Sequence, residues 1–444
     1  MNILFVSLGC DKNLVDSEVM LGLIREKGYN ITNDEMVADI IVVNTCCFIN
    51  DAKEESIEAI LEMAEHKKDG KLKALIVTGC LAERYKDEIQ KEIEEVDAVI
   101  GTSSYESIVE VIEKVLEGKK IRQFTDVNYL PGGEEKRINT TGFFSYLKIA
   151  EGCDKHCTYC IIPKVRGNYR SVPMEKLIEE AKKLADLGTK ELILVAQETT
   201  LYGVDLYGKK SLPSLLKKLC KIEGIEWIRI LYCYPEEITE ELIEVMKEED
   251  KICKYLDMPI QHASDKILKA MGRRTNKQEL LDIIGKLRKN IPDISLRTTL
   301  ITGFPGETKE DQEELLDFID EVEFDRLGVF PYSKEEDTPA AKMNDQVLET
   351  VKEERRNEVM ELQQEISYDL SKRMIGKTLK VMIEGKLPEE NVFIGRTYKD
   401  APNVDGYIFV TSRKELMSGD FVNALVTEAK EYDLIGEIVD EFTK

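Results

Sequence analysis

No stretch of this 444-residue chain approaches the ~20 consecutive apolar residues that a membrane span needs. The first apolar run, Ile3–Leu8, is short and gives way to Asp11 and Lys12, without a cationic leader or a small-residue cleavage site. These absences predict a cytoplasmic protein. In that compartment ten cysteines are expected to be metal ligands or buried thiols, not disulfides. Basic residues are in the minority, 62 Lys and Arg against 86 Asp and Glu, for a formal charge of −24. Gripping phosphate backbones takes Lys/Arg-rich faces, so the balance disfavours nucleic acid and suits a basic protein partner. Acids that merely solvate helix faces would leave the same imbalance.

Three of the cysteines, Cys153, Cys157 and Cys160, share one short loop, CDKHCTYC. Three soft thiolates are one fewer than a closed tetrahedral site or an ordinary 4Fe–4S cluster takes from protein. Structural zinc would need a fourth donor, and the nearby candidate, His156, sits awkwardly beside Cys157. The C-x₃-C-x₂-C string resembles the signature of radical S-adenosylmethionine (SAM) enzymes. There the cluster keeps one iron open, and the amino and carboxylate groups of SAM fill it.

The length predicts about three domains at ~150 residues each. Residues 1–120 alternate apolar strands (Asn2–Leu8, Asp39–Asn44, Lys73–Thr78, Ala98–Gly101) with helices (Val15–Lys27, Ala52–His66, Ala82–Ile93, Tyr105–Leu116), the pattern of a parallel α/β sheet. In the second helix Ile57, Ile60, Leu61 and Ala64 are expected to face the sheet. Residues 121–142, with Pro131-Gly132-Gly133, read as a linker. Residues 143–374 hold six strand–helix units, short of the eight that close a barrel, and predict an open, partial (β/α)₆ TIM-like barrel. A long charged helix, Leu348–Met374, leads to residues 375–444, whose five short β-like runs predict a small OB-like barrel.

A second triplet emerges from context. Cys10, Cys46 and Cys80 each directly follow an apolar strand, in ILFVSLGC, IIVVNTC and LIVTGC. Ligands gather beyond the carboxyl ends of strands in open parallel sheets, so these thiols are expected to converge on a metal, with iron–sulfur favoured by their softness. Cys47 competes with Cys46, but neighbouring side chains of extended chain point to opposite faces, so one of the two reaches the site. Cys220, Cys233 and Cys253 share no such context and read as structural.

Taken together, SLGCDKNLVDSE (7–18), NTCCFI (44–49), VTGCLAERY (77–85), EGCDKHCTYCIIPKVRG (151–167), VAQETTLYG (195–203), MPIQHAS (258–264), RTTLITGFPGET (297–308) and GRTYKDAPNVDG (395–406) resemble the radical SAM methylthiotransferases over nearly the whole chain. The resemblance implies a transferase with an N-terminal cluster domain, a radical SAM barrel and a C-terminal TRAM domain. Residues 11–18 and Asp400-Ala401-Pro402 look like the branch that modifies an aspartate of small-subunit ribosomal protein S-twelve. Residues 372–444 carry 11 basic and 13 acidic side chains, a net of −2, where an RNA-gripping domain would be basic.

What the resemblance implies is attachment of a methylthio group at an unactivated carbon, with SAM and two 4Fe–4S clusters as cofactors. Cys153, Cys157 and Cys160 would hold the cluster that cleaves SAM, and Cys10, Cys46 and Cys80 an auxiliary cluster that carries the sulfur. Gln197 and Glu198 would meet the SAM amino group and Arg297 its carboxylate or ribose. Gly303 and Gly306 would allow close backbone approach, and Tyr159 would pack on adenine. His262 reads equally as a satisfied structural histidine. A low-potential donor of flavodoxin or ferredoxin type would supply electrons. The competing readings are a tRNA adenosine methylthiotransferase of the same family, a non-enzymatic iron–sulfur scaffold and a zinc-stabilised binding module.

Overall fold

The computed structural model describes residues 1–68, 71–388 and 390–439. Its first six strands are β1 (Asn2–Ser7), β2 (Asn30–Thr32), β3 (Ile40–Thr45), β4 (Ala74–Gly79), β5 (Ala98–Ile100) and β6 (Ile121–Gln123). They form one parallel sheet in the order β2-β1-β3-β4-β5-β6. Alternate side chains feed two cores. Ile40 and Val42 pack with Val19, Ile24, Val111 and Ile112 on one face, while Ile41 and Val43 pack with Ile60, Met63 and Leu81 on the other. The strand order reverses between β1 and β3, a topological switch point, which is where such sheets bind ligands. Cys10 and Cys46 follow the two strands that flank it.

Sequence patterning misjudged some details here. The first helix runs Asp11–Glu26, not from Val15, because its polar opening turn is buried: Lys12, Asn13 and Asp16 all face protein. Ala82–Ile93 is broken into Cys80–Arg84 and Ile89–Glu92, with Arg84 drawn to Glu335 at 2.8 Å. The stretch read as linker contributes β6 to the sheet. Ile57 and Leu61 are exposed, and the inward face is Ser56, Ile60, Met63 and Ala64.

Strand β7 (Phe144–Lys148) opens the second unit, followed by the short antiparallel pair β8 (Ala150–Glu151) and β9 (Arg170–Ser171). Five more strands complete its sheet: β10 (Glu191–Val195), β11 (Trp227–Ile230), β12 (Ile252–Asp257), β13 (Ser295–Thr302) and β14 (Arg326–Pro331). The order β14-β13-β12-β11-β10-β7 is parallel throughout and open at both edges, a partial barrel. Its lumen is filled by Tyr146, Ile193, Val195, Trp227 and Tyr255, joined by Val15 from the first helix and by Met382 and Ala401 from the C-terminal unit. Helix Glu349–Lys372 leads to that unit.

The C-terminal strands β15 (Thr378–Lys386), β16 (Val392–Thr397), β17 (Ile408–Thr411), β18 (Phe421–Ala429) and β19 (Leu434–Ile438) close into a barrel in the order β15-β16-β17-β19-β18, with β17 and β19 parallel, an OB-like arrangement. Charges tie it to the partial barrel. Glu191 accepts from Arg229 Nε and Arg396 Nη2, each at 2.7 Å, and all three side chains are fully buried. Asp400 accepts from Arg326 Nε at 3.1 Å, and Asp405 accepts from the Tyr255 hydroxyl at 2.7 Å.

Candidate metal centres and cofactor site

Two glycines shape the first thiol triplet. Gly9, before Cys10, has φ +87°, and a β-carbon there would lie 2.8 Å from the Cys46 β-carbon and 3.1 Å from its sulfur. Gly79, before Cys80, has φ +94° and would clash with Thr45 O at 2.5 Å. Only a residue without a side chain lets these turns close around Cys46. Behind Cys46 stands Ser56, whose hydroxyl donates to Cys46 O and accepts from Cys46 N, each at 3.0 Å.

Burial raises the pKa of Cys46, and the charge of Cys10 adds to the rise; burial likewise raises Cys80, opposed chiefly by Arg166 and reinforced by Cys47, Cys46 and Cys10. Cys47 lies in the apolar core beside Arg84, with burial pushing its thiol up to about 12. Its charged surroundings are Arg84, Cys46 and Glu335.

The second triplet sits on the loop after β8. Cys153 N donates to Gly167 O at 3.1 Å and Cys160 N to Cys157 O at 3.0 Å. Thr158 is pinned through N and Oγ1 to Met271 O and Ala270 O, each at 2.9 Å. Burial lifts the Cys153 thiol to about 11 and raises Cys160, with the charge of Cys157 adding to both. Arg273 stands against Cys157: Nη1 is 3.9 Å from Sγ, and the guanidinium stacks 4.3 Å from the Tyr234 ring centre. His156, the possible fourth zinc donor, has φ +52° and is exposed.

These residues fit iron–sulfur clusters on donor chemistry. Each site offers thiolates alone, three in number, with a buried arginine to offset their charge. Among the described residues no three His, Cys, Asp or Glu side chains close around a single ion. A 4Fe–4S cube takes one thiolate per iron and so calls for wider ligand spacing than one ion does.

The residues expected to contact SAM divide. Gln197 donates through Nε2 to Glu151 Oε1 at 2.9 Å, leaving its own Oε1 buried without a partner. Glu198 is fully buried; Oε1 accepts from Thr200 N at 2.9 Å, while Oε2 has no hydrogen bond and lies 3.9 Å from Lys155 Nζ. Burial pushes the Glu198 carboxyl up to about 7. Each orphaned acceptor suits an ammonium donor, which the SAM amino group is. Tyr159 meets the edge of Phe304, with ring centres 6.5 Å apart.

The other expected contacts have partners within the protein. Arg297 lines the cavity beside Cys10 and pairs through Nη1 with Asp257 at 2.9 Å and through Nε with Asp405 at 3.3 Å, on the seam with the small barrel. Gly303 is kept small by packing, since a β-carbon there would lie 2.2 Å from Lys352 Cγ. Gly306 answers a turn at φ +82° with open space around it. His262 is buried and held neutral by desolvation, its pKa pushed down to about 4, and Nδ1 accepts from Ser264 N at 3.0 Å. It is structural.

Several site residues escaped the sequence reading. Asn13, Asp16, Glu151 and Arg166 lie within quoted motifs, and Lys148 near them, yet spacing could not show that they meet. Lys148 donates to Asp16 and, at 2.9 Å, to Glu151, which also accepts from Arg166 at 3.1 Å.

Comparison with known proteins agrees with this layout. Residues 147–319 match the radical SAM superfamily, residues 2–101 the uncharacterized protein family UPF0004, and residues 375–439 the TRAM domain. The ribosomal protein uS12 methylthiotransferase RimO of Lachnoclostridium phytofermentans is 70% identical over 98% of this chain and 99% of its own length. Its namesake from Clostridioides difficile is 52% identical over 98% of both. Among solved structures, the radical SAM methyltransferase TsrM of Kitasatospora setae superposes with a TM-score of 0.56 at 11% identity, covering 88% of this chain and 80% of that one, and shares the fold. The chain therefore belongs to the radical SAM methylthiotransferases, in the RimO family of ribosomal protein uS12 methylthiotransferases.

Proposed function

We propose that this enzyme attaches a methylthio group to the β-carbon of an aspartate in ribosomal protein uS12, with SAM and two 4Fe–4S clusters as cofactors. Cys153, Cys157 and Cys160 hold one cluster; Cys10, Cys46 and Cys80 hold the auxiliary one. The observation that carries the reading is the reach of Arg166, from the loop of the first trio, to within 3.3 Å of the Cys80 sulfur in the second. When bound, the clusters and SAM supply reductive cleavage, a hydrogen-abstracting radical and the transferred sulfur.

The chain's own residues prepare that chemistry. Gln197 Oε1 and Glu198 Oε2 would accept from the SAM ammonium, Arg273 and Arg166 would offset thiolate charge, and the apolar lumen would keep water from reactive species. Beside Cys10 a cavity of about 330 Å³ is walled by all three units, through Asp11, Tyr146, Tyr232, Tyr255 and Asn403. It is the approach for the substrate segment. A larger cavity of about 870 Å³ lies on the small barrel and is lined by none of the cysteines.

The acidic chain, with its weakly negative C-terminal unit, favours a basic ribosomal protein over tRNA. We place the enzyme in the cytoplasm, where ribosomes are made, with a flavodoxin- or ferredoxin-like protein as electron donor. Among the described residues no helix is long and apolar enough to cross a membrane. Mass spectrometry of uS12 and of tRNA from a deletion strain tests the substrate: the methylthio group is expected to vanish from uS12 alone. Its loss from tRNA instead would overturn the proposal.

A further inference from the structure

Arg166 stands six residues beyond Cys160, yet its side chain leaves that loop and enters the other triplet. It is 2% exposed, and Nε points at Cys80 Sγ from 3.3 Å. Its other nitrogens are committed. Nη1 donates to Asp16 Oδ2 at 2.7 Å and Glu151 Oε2 at 3.1 Å, and Nη2 donates to Asn13 Oδ1. Asn13 is fixed in turn, its Nδ2 donating to Leu8 O and Thr45 O at 3.0 Å, just ahead of Cys10 and Cys46. Lys148 closes the circuit by donating to Asp16 and Glu151.

Two cations and two carboxylates cancel, so the network is neutral without the sulfur. The planar guanidinium is therefore locked on three acceptors while its Nε–H is left with Cys80 alone. A neutral thiol is a weak acceptor, whereas a thiolate takes a charge-assisted hydrogen bond. The arrangement has its full value when Cys80 is a metal-bound thiolate.

We propose that Arg166 is a positioning residue for the auxiliary cluster, donating Nε–H to the ligand sulfur of Cys80 and raising that cluster's reduction potential, with Asp16 and Glu151 holding the guanidinium in register. The proposal rests on the assignment of Cys10, Cys46 and Cys80 as ligands. Hydrogen bonds to cluster sulfurs and nearby positive charge both favour the reduced, more negative state.

The test uses the full-length chain with Cys153, Cys157 and Cys160 all replaced by alanine, reconstituted without oxygen so that the auxiliary cluster alone assembles. Potentials come from redox titration followed by electron paramagnetic resonance. Arg166→Gln is expected to keep the iron and shift the potential down, Arg166→Lys to shift it less, and Asp16→Asn, which loosens the grip on the guanidinium but also removes a negative charge, to shift it down less than Arg166→Gln or up. No shift in Arg166→Gln, or a downward shift in Asp16→Asn as large as in Arg166→Gln, overturns the proposal. Should Arg166→Gln lose the cluster, the parent protein is labelled with ¹⁵N-arginine. A ¹⁵N coupling in pulsed spectra of its reduced cluster supports the proposal, and its absence overturns it. A parent that binds no iron at all overturns the ligand assignment itself, and is seen before any Arg166 variant is made.

Discussion

Gly9 and Cys46 lie so close that a β-carbon on the glycine would stand 2.8 Å from that of the cysteine, although 37 positions separate them. The contact brings the ends of β1 and β3 together, and φ +87° at Gly9 would strain any other residue. Gly9→Ala is therefore expected to lose the auxiliary cluster, about half of the bound iron. The cluster on Cys153, Cys157 and Cys160 should persist. Iron counting with electron paramagnetic resonance checks this; full iron would mean that the turn has room to spare.

The two triplets should fail differently. Cys157→Ala is expected to abolish SAM cleavage while the N-terminal cluster still forms. Cys46→Ala should spare cleavage to 5′-deoxyadenosine and stop sulfur insertion. Cys47→Ala, in an apolar core beside Arg84, should cost ~1 kcal/mol of stability and leave product formation intact. Chromatography of 5′-deoxyadenosine alongside peptide mass spectrometry separates the three.

Glu198 makes stability depend on pH. Burial raises its folded pKa to about 7 from 4.5, so the folded state holds a proton that the unfolded state has released. The stability it contributes is whole below pH 4.5 and is lost as pH rises through 7. The difference is about 3 kcal/mol. Glu198→Gln should flatten this part of the Tm profile of the metal-free protein between pH 5 and 8. Parallel profiles for the two proteins would contradict the assignment.

Arg297 carries the seam between the partial barrel and the small one, facing Asp257 and Asp405. Replacing it with alanine strands two buried carboxylates, at a cost of about 3–5 kcal/mol. Asp405→Asn keeps a polar partner and should cost less. Limited proteolysis around residue 375 and thermal melts report both, with Arg297→Ala the more labile. The reverse order would contradict the seam role of Arg297.

Much of this was legible because parallel strands obey simple rules. Apolar runs ending in cysteine put Cys10, Cys46 and Cys80 at one sheet edge before any coordinate is known. Arg166 was not legible: its sulfur contact spans 86 positions, and no local pattern encodes it. The helix over Asn50–Glu65 shows why periodicity misleads beside a site. Ser56 turns inward to brace Cys46, which rotates Ile57 and Leu61 into solvent although their spacing suits a core. Gly303 and Arg297 belong to motifs whose chemistry suggested a cofactor, and no local pattern showed that Lys352 packs on the glycine or that Asp405 of the small barrel pairs with the arginine.

The most direct measurement incubates the reconstituted enzyme, under anaerobic conditions, with SAM, sulfide, a low-potential reductant and a uS12 peptide containing the target aspartate, then weighs the peptide. The wild-type protein should add one methylthio group to the aspartate, and the Cys46→Ala protein should add none while still producing 5′-deoxyadenosine. An unmodified peptide beside a thiomethylated tRNA, or full product from the Cys46→Ala protein, would contradict the account.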